Sequence, residues 1–349
     1  MKDNPFQPAN RLTGATSPAS PVPGGVTFTT TNLLKTPGTH GRGRFIVRGT
    51  DVRSSARGPF LQLSLGDKNG EVTAICWKGA TLAEKLAIGN CVEIDRFQVD
   101  DFGPKFEVGE LRLLGPGEFK PEEFVATLPA NEIARNWTEF HEFMDSIRDP
   151  HLQKLRQKIW GDPAIGEKYK IHPSAVFHHH NYVGGNVQHV VGIMRVIEAV
   201  CHSYPKLDRD LAIFGAAVHD LGKLKEYEVG ASIRVTDEGR MRGHLVIGAE
   251  WIALLCAELR AEGYPFPKPI EEDLVHMILS HHGKGEWGSP KPPATAEAML
   301  LHLGDYIDSQ TKKFLQDIES NINNPEGWFK RFDPDIGENR WIRTRREPA

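Results

Sequence analysis

Seven side chains able to ligate a metal recur along the C-terminal half of the sequence: His189, the adjacent pair His219-Asp220, His244, the adjacent pair His281-His282, and Asp305. Twelve of the fifteen histidines lie from His172 onward, so imidazole is concentrated where this series runs. A lone His-Asp pair most often sits on a solvated face or in a satisfied polar contact. Here each member falls in an apolar, helix-like setting. His219-Asp220 closes the amphipathic stretch within AAVHDLGKLKEY, His189 lies in an apolar run opened by Gly184-Gly185, His244 follows Gly243, and His281-His282 ends LVHMILS. In TAEAMLLHLGDYIDS, steps of three or four place Ala298, Leu301, Asp305 and Asp308 on one helical face, so Asp305 follows the apolar stripe inward. An unpaired carboxylate buried there would cost roughly several kcal/mol, which calls for a cation as partner. Neutral imidazole and carboxylate together suit Mn, Fe, Ni, Co or Zn. Cys76, Cys91, Cys201 and Cys256 have no C-x-x-C spacing, which argues against a structural zinc site or a disulfide framework and for buried apolar thiols.

Helices must carry these groups. From Pro116-Gly117 to about Ser320 the pattern is helical: Val187, Val190, Val191, Met194 and Val200 share one face, and Leu211, Phe214, Gly215 and Val218 share another. Before it lie five β-type runs, Arg44 to Val52, Phe60 to Leu65, Val72 to Trp77, Cys91 to Val99 and Lys105 to Leu114, with a short helix expected over Ala80 to Ala87. Asn69-Gly70 and Asp101 to Pro104 supply turn chemistry. Three strands, a helix and two strands is the order of an OB-fold barrel, although an SH3-like barrel or small sandwich would pattern alike. The expected fold class is therefore multidomain: a small N-terminal β-barrel of OB type over 40–116, then an all-α helical bundle over 122–320. Residues 1–38, rich in Pro, Thr, Ser and Gly, read as a disordered tail, and 321–349 as a C-terminal tail. MKDNPFQPAN lacks the apolar core of a signal peptide, and no apolar run approaches the ~18 residues of a membrane span, so a cytoplasmic location is expected. A formal charge of −4 excludes a protein that coats nucleic acid by bulk positive charge.

The order H…HD…H…HH…D resembles that of the HD-domain superfamily of metal-dependent phosphohydrolases. The segments HHHNYVGGNVQHV, HDLGKLKEY, GHLVIGAEWI, HMILSHHGKGEWGSPKPP and TAEAMLLHLGDYIDS resemble those of YhaM-type 3′-to-5′ exoribonucleases, which pair an OB-fold with an HD domain. Asn186-Val187-Gln188 departs from the apolar and acidic residues expected before His189. The resemblance implies that His189, His219, Asp220 and Asp305 hold one divalent metal, and that Asp220 bridges to a second held by His244 with His281 or His282. Manganese is the first expectation, with Fe, Co, Ni or Mg as alternatives. Two cations about 3.5–4 Å apart can activate a water between them, making metal-bound hydroxide the nucleophile.

Around this cluster, Lys223 lies one turn beyond Asp220 and is expected to reach a phosphate oxygen, the plainer reading being a surface lysine at a helix end. His178, His179 and His180 precede the Gly-Gly turn. His180 is expected at the scissile phosphate or leaving 3′ oxygen and His179 on nucleic acid, with a bland loop role as the alternative for each. In the glycine-rich loop Gly283 to Pro290, Trp287 can stack a base and Lys284 contact phosphate, unless Trp287 is a buried anchor. His172, His202, His276 and His302 read as packing residues. On the barrel, Phe60, Trp77, Phe97 and Phe102 are stacking candidates near Arg48, Arg53, Arg57 and Lys105.

The expected activity is a metal-dependent 3′-to-5′ exonuclease on single-stranded RNA, with single-stranded DNA as a further substrate, releasing nucleoside 5′-monophosphates. Its rivals are an HD phosphohydrolase of nucleotides or cyclic dinucleotides, and a nucleic-acid-binding protein in which the HD domain is only structural.

Overall fold

A computed structural model describes residues 26–30, 40–100, 103–115, 117–120, 123–175, 182–333 and 337–344. Two compact units partition the chain, one formed by residues up to Thr127 together with Val229–Arg234, the other by Leu128–Glu228 and Val235 onward. His178, His179, His180 and Phe102, with the roles expected of them, lie outside the described residues.

The first unit is a closed barrel. Strand β1 spans Val26–Phe28, β2 His40–Ser55, β3 Gly58–Asp67, β4 Gly70–Trp77, β5 Cys91–Asp100, β6 Gly103–Glu107 and β7 Leu111–Leu113. β2, β3 and β4 pair antiparallel in succession, β4 pairs parallel with β6, β6 antiparallel with β5, and β5 antiparallel with β2, which closes the circuit. This five-strand circuit is the OB-type connectivity that the strand order had pointed to. β2 serves both neighbours because register shifts at Gly41/Gly43 and Val47/Gly49 bend it. Alternate residues such as Leu61, Leu63 and Leu65, or Val92 and Ile94, fill the interior with period two.

Three local expectations change. Ala80 to Ala87 is not a helix but a 3-10 turn, Ala80–Leu82, with turns after it. The run from Lys105 to Leu114 breaks at the 3-10 turn Val108–Glu110, where Glu107 and Glu110 cap each other's backbone. Part of the expected N-terminal tail is ordered: β1 pairs parallel with Gly41 to Gly43, and Thr30 is buried with its amide donating to Asp67 Oδ2 at 2.8 Å. A β-branched and aromatic triplet, Val26-Thr27-Phe28, meets an available strand edge there, which composition averaged over 38 residues conceals.

The second unit is helical: α1 Ala130–Ser146, α2 Pro150–Trp160, α3 Pro163–Ile171, α4 Gly185–Ser203, α5 Arg209–Val218, α6 Lys223–Glu226, α7 Asp237–Ala261, α8 Lys268–Ser280 and α9 Ala296–Ser320; the two-stranded ribbon that follows α6 in the chain, β8 Tyr227–Val229 and β9 Ile233–Val235, has its residues Val229–Arg234 in the first unit. Residues Leu211 to Val218 of α5 are all buried, so this helix is apolar all round and forms the centre of the core. Asp208 caps its start by accepting from Leu211 N at 3.0 Å. Its end is where the chain turns at His219, Asp220, Leu221 and Gly222. The expected C-terminal tail contains a hairpin, β10 Trp328–Asp333 with β11 Glu338–Arg343, whose period-two alternation sets the buried Ile342 on one face and Trp328, Phe332 and Trp341 on the other. All four cysteines are buried thiols. Among the described residues no helix is long and apolar enough to cross a membrane.

Candidate metal centre

Asp220 is the hub, and each of its carboxylate oxygens faces a different set of imidazoles. Oδ2 lies 3.2 Å from His219 Nε2 and 3.9 Å from His189 Nε2, whereas Oδ1 lies 3.7 Å from both His244 Nε2 and His281 Nε2. His282 Nε2 is 3.3 Å from His244 Nε2. Ligand atoms of His189, His219 and Asp220 fall within 4.8 Å of one another, and so do those of His244, His281 and His282. Asp305 Oδ1, 3.2 Å from His189 Nε2, points into the first cluster. Separate elements therefore deliver the seven expected residues to one place: α4 gives His189, the end of α5 gives His219 and Asp220, α7 gives His244, the end of α8 gives His281 and His282, and α9 gives Asp305.

Each imidazole is held from behind. His219 Nδ1 donates to Ala216 O and His281 Nδ1 to Ile278 O, the carbonyls three residues back in their own helical turns, both at 2.8 Å. His282 Nδ1 donates to Trp287 O at 2.8 Å, His189 Nδ1 lies 2.7 Å from Asp308 Oδ2, and His244 Nδ1 lies 2.9 Å from Glu226 Oε2. With Nδ1 as the donor, each Nε2 faces inward, the orientation that metal ligation through that atom requires. His219 Nε2 and Asp220 Oδ1 are buried with no hydrogen-bond partner among the described residues. Orphaned buried acceptors surrounded by further nitrogen and oxygen donors, with no thiolate, fit a pair of divalent cations.

The electrostatics agree. Burial opposes the charge of Asp220, but the fields of His219 and Lys223 outweigh it and hold the carboxyl well below its usual range. Burial likewise opposes ionisation of Asp305, and the hydrogen bond and charge of His189 reverse that. Burial, reinforced by His282 and His219, pushes His281 far below the ordinary histidine value and keeps it neutral. For His189 burial lowers the pKa, but Asp305 and Asp308 together lift it to about 10, so a cation ligated there has to displace the Nε2 proton that faces Asp305. The cluster thus concentrates negative charge that attracts a cation.

Lys223 is not a surface lysine: its side chain is largely buried and Nζ donates to Asp220 Oδ2 at 2.6 Å. Trp287 is half-buried and stacks on Tyr306, ring centroids 5.9 Å apart, with Lys284 Nζ 4.5 Å from the Trp287 ring centroid. Its carbonyl anchors His282, so the loop and the cluster are mechanically linked. Phe97 is fully buried in the barrel core, which removes it from the stacking candidates because its register faces inward. Phe60 and Trp77 instead pair across β3 and β4 at 5.4 Å and remain partly exposed.

Four supporting residues were given no role at the site from sequence. Asp308 lies one turn beyond Asp305, and Gly192 on α4 leaves it room, since a Cβ there would meet Asp308 Oδ1 at 2.2 Å. Glu226 lies six residues after Asp220 in the same short motif. His302, read as packing, donates from Nδ1 to His281 O at 2.8 Å, and His172, also read as packing, is buried with Nε2 2.7 Å from Lys223 O. Asp308→Ala removes the acceptor that orients His189, and metal titration should show ~10- to 100-fold weaker binding, the usual cost of losing such a support. Unchanged affinity would mean that Asp305 alone orients the ring.

A closed OB-type barrel followed by a helical unit with this histidine-aspartate cluster defines a barrel-bearing HD-domain protein, and residues 186–310 match the HD domain family. The chain is 32% identical over 275 residues to the 3′-5′ exoribonuclease YhaM of Bacillus licheniformis, covering 74% of this chain and 83% of that relative. It is 34% identical over 275 residues to the YhaM of Listeria innocua, with the same coverage. The chain belongs to the YhaM 3′-5′ exoribonuclease family.

Proposed function

We propose that the protein is a 3′-to-5′ exonuclease of single-stranded RNA, acting in the cytoplasm and releasing nucleoside 5′-monophosphates, with single-stranded DNA as a second substrate. The observation that carries the catalytic part of this reading is the division of Asp220, with Oδ2 toward His189 and His219 and Oδ1 toward His244 and His281. These residues, with Asp305 and His282, would hold two divalent cations, manganese being the first choice to test. When bound, such cations supply Lewis acidity toward a phosphodiester and lower the pKa of water toward neutrality.

The protein's own groups do the rest. Five imidazoles, locked through Nδ1, keep their Nε2 atoms fixed, so little reorganisation accompanies binding. Lys223, already 2.6 Å from Asp220, is placed to exchange part of that contact for a non-bridging phosphate oxygen and to neutralise charge as the bond breaks. Trp287 on Tyr306, with Lys284 beside it, offers a stacking face and a cation to the terminal nucleotide. The barrel offers Phe60 and Trp77 to a single strand.

The test is an RNA labelled at its 5′ end and incubated with manganese. A ladder shortening from the 3′ end, with 5′-monophosphates released, is expected, and a circular RNA of the same sequence should persist. Rapid cutting of the circle would identify an endonuclease instead.

A further inference from the structure

The C-terminal hairpin has an outward face with a composition of its own. Registers Trp328↔Arg343, Lys330↔Trp341 and Phe332↔Asn339 put these six side chains on one side of the ribbon, and all six are exposed. Trp328, Phe332 and Trp341 are 43%, 57% and 58% exposed, which is unusual for three large aromatics on one face. The opposite face is fastened: Ile342 is buried, Arg331 is paired with Asp317 of α9, and Thr344 N donates to Gly327 O at 2.9 Å. The ribbon is thus a fixed platform.

Each tryptophan carries a cation from across the ribbon. Lys330 Nζ lies 4.8 Å over the Trp341 ring and Arg343 Cζ 5.6 Å over Trp328. Among the described residues neither cation is paired with a carboxylate; Glu326, which lines an open cleft with Trp328 and Trp341, is the acidic group nearby. Trp328 and Trp341 are diagonal neighbours, a relation that places residues roughly 7–8 Å apart. Planar faces at that spacing, each with a positive charge beside it, match bases joined by phosphates.

We propose that this face is a single-stranded nucleic-acid subsite, in which Trp328 and Trp341 stack bases while Lys330 and Arg343 take the adjoining phosphates. The proposal rests on the RNA reading above. The hairpin is fastened to α9 at Asp317, twelve residues beyond Asp305. At 1.5 Å per residue that is ~18 Å, or about five stacked nucleotides at 3.4 Å each. A long strand with its end at the metal centre reaches the hairpin, and a trinucleotide does not.

Steady-state kinetics of the full-length, manganese-loaded protein on a 30-nucleotide RNA and on a trinucleotide test this directly. W328A/W341A should raise KM for the long RNA by about tenfold or more and leave the trinucleotide unchanged. K330E/R343E should do the same and flatten the dependence of KM on salt. All four positions are exposed, and unaltered trinucleotide turnover excludes misfolding. If wild-type protein degrades both RNAs and the variants show the same KM for each, the subsite is overturned while the exonuclease reading stands. If wild-type protein degrades neither RNA, that reading fails and takes the subsite with it. A fall in molecular mass of the variants with KM unchanged would make the face a contact between copies and would also overturn the proposal.

Discussion

Asp220→Ala should abolish RNA hydrolysis and strip the protein of its divalent metal. Both oxygens of this carboxylate serve, one for each imidazole cluster, so a single substitution removes a carboxylate shared by the two. The rate should fall by at least the ~10²–10³-fold that loss of one electrostatic donor costs, and further because metal is lost as well. Folding should survive. The truncation frees Lys223, whose Nζ can turn to water, and leaves His219 Nε2 as it already is, without a hydrogen-bond partner. A stability loss of about 1–3 kcal/mol is the scale for a buried polar group deprived of its partner. Metal analysis, a melting curve and the 5′-labelled RNA assay check the three statements together. A variant that retained its metal and near-normal turnover would move the chemistry elsewhere in the chain. His219→Ala should give a smaller metal loss, confined to the first cluster.

How far the sequence foretold this centre depends on what kind of signal each residue carries. The seven clustered residues were legible because each sits in an apolar helical frame where an imidazole or carboxylate is anomalous, and the anomaly repeats. The roles of Asp308 and Glu226 were not, since a carboxylate in mid-helix or at a helix end is ordinary in sequence and gains meaning only when it is seen behind His189 or His244. Lys223 was legible by type and by its spacing from Asp220, but its ion pair with Asp220 depends on the turn that joins α5 to α6. The barrel's connectivity followed from strand order, yet the inward register of Phe97 did not, because a one-residue slip exchanges inside for outside. The hairpin at Trp328 to Arg343 was missed for a plainer reason. Two six-residue strands crowded with charge read as a polar tail until cross-strand pairing sorts them into two faces.

Gly222→Ala should be almost as damaging as loss of Asp220, although glycine here is not needed for its backbone angles. Gly222 has φ −60° and ψ −25°, which alanine adopts freely. The constraint is proximity: a Cβ on Gly222 would lie 2.1 Å from His244 O and 2.8 Å from Gly248 N. Those are backbone atoms of α7, and they cannot swing aside as a side chain would. Gly248 answers from the other helix, where an added Cβ would come within 3.3 Å of Gly222 N. The glycine in HDLGK thus permits α6 and α7 to touch, and that contact carries His244 to Asp220 and Glu226. Alanine must push α7 away by an amount on the order of 1 Å, a displacement that can cost ~10²-fold in rate when it misplaces a reacting group. Overpacking should also lower stability by about 1–3 kcal/mol. The metal content should report where the damage lies: the cluster of His244, His281 and His282 should empty while that of His189, His219 and Asp305 keeps its ion, halving the stoichiometry. Gly230→Ala is the matched control, because nothing lies within 4 Å of a Cβ built there and its effect should stay within about 0.5 kcal/mol. A Gly222→Ala protein with wild-type melting, full metal content and normal turnover would show that the two helices do not need this approach to bring His244 to its carboxylate.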